Sequence, residues 1–109
     1  MTDDDRQTIL TATREVLETA EAVIILHGTD TLEKTGELLC ERLGGLRVPV
    51  ILTGAMRPYE FRDTDALQNV TESLLAARLV EPGVYALMHN RVLRFPGVRK
   101  NRERQTFEA

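Results

Sequence analysis

The sequence predicts an α/β fold, a three-layer sandwich with a Rossmann-like parallel sheet between helices. Three observations predict it. Apolar spacing switches repeatedly between helical and strand-like periods, giving the order α-β-α-β-α-β. The strand candidates are short and apolar throughout rather than alternating, the pattern of strands covered on both faces. Each interval between strands carries a helical stripe, and such crossovers join parallel strands with a right-handed turn.

Taken in order, residues 2–20 place Ile9, Ala12, Val16, Leu17 and Ala20 on one helical stripe. Thr2 suits the N-cap, and Asp3, Asp4 and Asp5 suit the positive end of the helix dipole. Residues 22–26, Ala-Val-Ile-Ile-Leu, form the first strand. After a polar turn, a second helix aligns Leu32, Gly36, Leu39, Cys40 and Leu43, and Gly44-Gly45 ends it. Residues 48–52 form the second strand, with Pro49 near its start, where proline is tolerated. A polar loop fills residues 54–64. Asp65-x-x-Gln68 resembles a capping box, opening a third helix with Leu67, Val70, Leu74 and Ala77 on one face. Pro82-Gly83 breaks that helix, and residues 84–88 form the third strand. The remainder is polar and basic, with apolar patches at Val92-Leu93 and Phe95.

At 109 residues the chain has the size of one domain. Its longest apolar runs are five residues, against the roughly 20 of a membrane span. It opens on acidic rather than basic residues, unlike a secretory signal. The single cysteine, Cys40, cannot form an internal disulfide, which fits a reducing, cytoplasmic compartment. On the second helical stripe it reads as a small buried hydrophobe. The 14 basic and 17 acidic residues leave a net charge of −3, which predicts no attraction to nucleic acid or anionic membrane. Six basic residues against Glu103 in residues 91–104 are not interleaved with aromatics, as single-strand nucleic-acid binding requires. His27, His89 and Cys40 lack metal-ligand spacing, so no metal is expected. Asn69-Val70-Thr71 is a glycosylation sequon, but it falls in mid-helix.

Ligands of open parallel sheets bind beyond the carboxyl ends of the strands. The segments there are residues 27–31, 53–58 and 89–91. Gly28, Gly54 and Ala55 leave room for a ligand near the backbone. Thr29 offers a hydroxyl that becomes a nucleophile if a base takes its proton, and Lys100 is one candidate base. Asp30 offers a carboxylate for a substrate ammonium or for orienting a lysine. The same residues also fit plain structural roles: Asp30 as a helix N-cap with Glu33 completing a capping box, Thr29 as a turn residue, and His27 as a fixture of the loop.

His27-Gly28-Thr29-Asp30-Thr31 closely resembles a signature of the bacterial-type asparaginases. Val50-Ile51-Leu52-Thr53-Gly54-Ala55-Met56-Arg57-Pro58 resembles the segment that follows it in that family. Met88-His89-Asn90-Arg91-Val92-Leu93 and Val98-Arg99-Lys100-Asn101 resemble the next strand and the lysine-bearing segment. The likeness is strongest to a short, single-domain form, with Phe61-Arg62-Asp63-Thr64-Asp65-Ala66 in place of a longer loop.

The resemblance implies hydrolysis of the L-asparagine side-chain amide to aspartate and ammonia, without metal or cofactor. It places Thr29 at the second of two catalytic threonines, Asp30 at the carboxylate holding the substrate α-ammonium, and Lys100 at the lysine working with both. It sets Ala55 where the backbone faces the substrate amide and Gly28 where the turn approaches the ligand. The family's first motif, a strand ending in Thr-Gly-Gly-Thr-Ile, has no counterpart in this sequence. The chain therefore reads as a single asparaginase-like domain over residues 1–109 that lacks the first strands. A narrow sheet with an uncovered edge follows, and with it a homo-oligomer. Two other functions are open: a catalytically incomplete module binding asparagine or aspartate, and a component of an amidotransferase acting on aminoacyl-tRNA, which shares the His-Gly-Thr-Asp motif.

Overall fold

A computed structural model describes residues 1–55 and 65–109. The sheet contains β1 (Val23–Leu26), β2 (Pro49–Thr53), β3 (Gly83–Met88) and β4 (Arg91–Arg94), in that spatial order. The first three are parallel, with Val23 opposite Val50 and Val50 opposite Val84; β4 returns antiparallel to β3. Helices α1 (Asp3–Leu17) and α2 (Leu32–Arg42) cover one face, and α3 (Ala66–Ala76) covers the other. A separate hairpin, β5 (Arg99–Asn101) and β6 (Thr106–Glu108), completes the described chain.

The expected α/β architecture is present, and β2 and β3 are buried along their whole length. Alternation sorts their side chains between two cores. Val50, Leu52, Val84, Ala86 and Met88 meet Leu10, Leu32 and Leu39 from α1 and α2. Ile51, Tyr85 and Leu87 meet Ala76 and Ala77 at the end of α3. By contrast β1, expected to be covered on both faces, is only partly buried, and Leu26 is 67% exposed. It is the terminal strand of the described sheet, so one side has no neighbour.

Three strands went unforeseen because residues 89–109 are too polar to show an apolar pattern. The β3–β4 hairpin is closed by His89 and Asn90, both in the left-handed region at φ 49° and 67°. That is the two-residue turn whose twist suits flanking strands. The β5–β6 hairpin is pinned by Phe107, which is 1% exposed in the α1/α2 core.

Helix α1 starts as expected: Thr2 accepts from the Asp5 amide, and the Asp5 carboxylate accepts from the Thr2 amide. Those bonds hold the Asp5 carboxyl below its ordinary pKa of 3.8. The other two capping boxes do not form. Thr31, not Asp30, is the N-cap of α2, and neither it nor Asp65 at α3 makes a side-chain cap bond. Gln68 donates to Glu72 instead.

The inner face of α3 also differs from the expected stripe. Asn69, Ser73 and Ala76 are buried, while Leu67 and Leu74 are 68% and 59% exposed. The polar pair is drawn inward by hydrogen bonds that leucine cannot make. In α2 the expected stripe holds, and Gly36 has a steric reason. A Cβ there would fall on the ring of Phe95, itself 3% exposed. Gly36→Ala should therefore cost about 1–3 kcal/mol through overpacking. A thermal melt should show a drop of several degrees for a domain of this size; an unchanged midpoint would contradict this packing. Cys40, beside that site, is partly buried, and burial together with the Glu37 charge raises its thiol pKa.

Candidate active site

The ends of β1 and β2 bring the first two candidate loops together. The His27 amide donates to the Thr53 carbonyl at 2.8 Å, extending the pairing one residue past β1. Gly54 lies so close to the His27 carbonyl that a Cβ would collide with it. The Thr53 hydroxyl donates to the Leu87 carbonyl at 2.7 Å and ties the next strand to the same layer. His27, 7% exposed, fixes the turn as expected. Its Nδ1 is 2.6 Å from the Gly28 carbonyl, so that nitrogen carries the proton. Its Nε2 then accepts from the Thr35 hydroxyl at 2.7 Å. Gly28 itself is exposed, with nothing facing its Cβ position.

The β5–β6 hairpin delivers Lys100 to this turn from 70 residues along the chain. Its amide donates to the Glu33 carboxylate at 3.1 Å, which anchors the strand to the first turn of α2. Its ammonium then lies 2.9 Å from Thr29 Oγ1 and 2.8 Å from Asp30 Oδ1. The Lys100 side chain is 11% exposed, whereas that of Asp30 is 82% exposed. Arg102 Nη1 also reaches Asp30 Oδ1, at 3.2 Å. The Lys100 hydrogen bond, followed by that of Arg102, lowers the Asp30 pKa below 3.8. In water an ion pair this exposed adds little to stability. Its consequence is chemical: a carboxylate that stays ionised and open to solvent, beside a hydroxyl within proton-transfer distance of an amine.

Three of the predicted residues, Thr29, Asp30 and Lys100, thus converge. Ala55 follows Gly54 at the end of β2 and is partly exposed. The remainder of the second motif, Met56-Arg57-Pro58, and the Phe61-Arg62-Asp63-Thr64 stretch lie outside the described residues.

A second network was not anticipated. Asn69 is fully buried, and its side-chain amide donates to the Gly54 carbonyl at 2.8 Å and to Asp65 Oδ2 at 3.1 Å. Its Oδ1 accepts from the His89 amide at 3.0 Å. The His89 Nε2 lies 2.5 Å from Asp65 Oδ2, and its Nδ1 lies 3.0 Å from the Thr106 hydroxyl. These bonds hold His89 in its left-handed conformation. They also link the Gly54 loop to β6, the partner strand of Lys100. Among the described residues, no three His, Cys, Asp or Glu side chains cluster as metal ligands, and no helix is long and apolar enough to cross a membrane. A cleft of about 690 Å³ between α1 and α2 is lined by Arg6, Glu33 and Glu37 but not by Thr29.

A family sequence profile described as "Asparaginase, N-terminal" matches residues 1–109. The chain belongs to the asparaginase family. It is 33% identical over 90 residues to an L-asparaginase of Thermococcus kodakarensis, covering 83% of this chain and 27% of that protein. It is 39% identical over 75 residues to a glutamyl-tRNA(Gln) amidotransferase component of Methanococcus maripaludis, covering 69% and 18%. The solved thermostable L-asparaginase of Thermococcus kodakarensis superposes with a TM-score of 0.90 at 30% identity, over 100% of this chain and 34% of that one. L-asparaginase I of Vibrio cholerae gives 0.86 at 29% identity, over 99% and 34%. A probable cytoplasmic L-asparaginase of Campylobacter jejuni gives 0.79 at 29% identity, over 92% and 33%. The chain spans between about a sixth and a third of the length of these family relatives.

Proposed function

We propose that the chain carries an amidohydrolase site for L-asparagine built on Thr29, Asp30 and Lys100. One observation carries the reading: a single amine within hydrogen-bond distance of both the Thr29 hydroxyl and the Asp30 carboxylate. In its neutral form Lys100 takes the Thr29 proton as the oxygen attacks the side-chain amide carbon. The tetrahedral oxyanion is stabilised by backbone groups of the Gly54–Ala55 segment. The C–N bond then breaks, with the proton returned from Lys100 to the leaving ammonia. Water hydrolyses the resulting ester, releasing aspartate. The ionised, solvent-facing Asp30 binds the substrate α-ammonium, and Gly28 leaves the approach open. No metal or cofactor enters this scheme, and the single cysteine suits a reducing, cytoplasmic setting.

Ammonia release from L-asparagine tests the proposal. Thr29→Ala should lower the rate about 10²–10⁴-fold, the range of a lost proton-transfer and nucleophile contribution. Equal release by both proteins would remove Thr29 from the chemistry. A second reading is binding of asparagine or aspartate without turnover, for which the 82% exposed Asp30 side chain, held by Lys100 and Arg102, supplies the carboxylate. Calorimetric heat on adding aspartate, with no ammonia formed from asparagine, would support it.

A further inference from the structure

The hairpin that brings Lys100 to the Thr29 turn carries a second cation to the same carboxylate. Arg102 opens the turn between β5 and β6. Asn101 closes that turn: its Oδ1 accepts from the Arg104 amide at 3.0 Å, and its side-chain nitrogen donates to Glu108 at 3.3 Å. The backbone under Arg102 is therefore held, while its side chain is 65% exposed. Its Nη1 lies 3.2 Å from Asp30 Oδ1, the oxygen that also accepts from Lys100. Among the described residues, Asp30 Oδ2 receives no hydrogen bond, and the rest of the Arg102 guanidinium donates none. An ion pair this open adds little to the fold. Its effect is to set a free carboxylate oxygen and free guanidinium donors side by side in solvent, next to Thr29.

We propose that Arg102 binds the α-carboxylate of an amino-acid substrate while Asp30 Oδ2 binds its α-ammonium. The assignment rests on the reading of Asp30 as the ammonium-binding carboxylate and adds the group beside it. The ammonium and carboxylate of an amino acid share one carbon, so a surface that reads both must offer an anion and a cation together. Asp30 and Arg102 do so. The chemistry selects the arginine over the neighbouring lysine. The Lys100 side chain is 11% exposed, and its amine already meets Thr29 and Asp30. The proton transfer proposed for it also needs a neutral amine, which cannot serve as a fixed positive charge. Arg102 stays protonated, and its planar fork of N–H donors matches a carboxylate bidentately. The donor spent on Asp30 leaves others for the ligand. Without that cation the ligand's carboxylate would lie close to the Asp30 carboxylate, with like charges opposed. The consequence is specificity for a free α-carboxylate, against an asparagine whose carboxyl is tied up in a peptide bond.

Titrations of the 109-residue chain with L-aspartate and with β-alanine, which is aspartate without its α-carboxylate, test this by calorimetry and amide NMR. Arg102→Gln should weaken L-aspartate binding about 5- to 50-fold, the range of a charge-assisted hydrogen bond weakened by exposure to water. It should not weaken β-alanine. Arg102→Lys should recover part of the loss, because the charge returns without the fork. Thermal melts of both variants should match the wild type. In turnover of L-asparagine, Arg102→Gln should raise KM with kcat nearly unchanged, the mark of binding shared by ground and transition states. Aspartate binding indifferent to Arg102→Gln, or an equal loss for β-alanine, would overturn the assignment. So would a wild type that binds no aspartate. The hydrolytic reading fails separately: Arg102-dependent binding of aspartate, with no ammonia formed from asparagine, removes turnover and keeps Arg102 on the α-carboxylate.

Discussion

Lys100→Met is expected to lower ammonia release from L-asparagine about 10²–10⁴-fold while leaving the thermal melt nearly unchanged. Methionine fills most of the lysine volume, so the partly enclosed stem keeps its packing and only the amine is removed. Thr29 then loses the amine that lay 2.9 Å from its hydroxyl. Lys100→Arg should not rescue: guanidinium stays protonated and its planar fork cannot take the hydroxyl proton. The same variant has a readout independent of turnover. The Lys100 hydrogen bond is the largest cause of the lowered Asp30 pKa, ahead of Arg102. In a carbon-detected NMR titration, the wild-type Asp30 midpoint should lie below 3.8, and Lys100→Met should move it upward. The sign for stability follows. A depressed folded-state pKa contributes stability above the unfolded value, and that contribution disappears as pH falls through the folded value. Because Asp30 is exposed, the contribution is small, and the titration rather than a melt is the sensitive measurement. An unmoved Asp30 midpoint would break the link between the two residues, whatever the kinetics.

The parallel core was legible because its signal is simple. Residues of β2 and β3 touch protein on both faces, so nearly every position had to be apolar, and the glycines and proline between elements marked their ends. The site was legible in its residue types but not in its assembly. Thr29 and Asp30 sit together in one turn, yet nothing in spacing says that Lys100 returns to them. That return depends on a hairpin whose sequence, Arg-Lys-Asn against Thr-Phe-Glu, has one apolar residue, Phe107, to bury. Arg102 was hidden for the same reason, inside a basic stretch that reads as a solvated tail. The α3 face differs from its expected stripe because apolar periodicity does not say whether a leucine turns toward the core or away from it. The alternative signal was present: Asn69 and Ser73 are four apart, the spacing at which Ser73 Oγ donates to the Asn69 carbonyl at 2.7 Å. In the sequence Asn69 reads only as part of a sequon, whereas its side-chain nitrogen is fully buried and already used.

That burial makes Asn69 the position where a small change should cost most. Asn69→Ala leaves the part-buried Gly54 carbonyl and His89 amide without their partner. Each unsatisfied buried group costs about 1–3 kcal/mol, so the sum should be roughly 2–6 kcal/mol, a large fraction of the stability of a domain this size. A circular-dichroism melt should fall by more than about 10 °C. Asn69→Asp separates hydrogen bonding from volume. It keeps the shape and the acceptor for the His89 amide. It replaces the donor with an oxygen facing both the Gly54 carbonyl and the Asp65 carboxylate, 2.8 and 3.1 Å from the present nitrogen. Two acceptors and a second buried charge then repel where a donor had joined them. The aspartate variant should therefore be no more stable than the alanine variant despite its better fit. Aspartate as stable as wild type would mean that this network merely fills space. Loss in both, with His89 amide exchange accelerated, would mean that one buried amide holds the Gly54 loop and the β3–β4 turn together, and through Thr106 seats the strand beside Lys100.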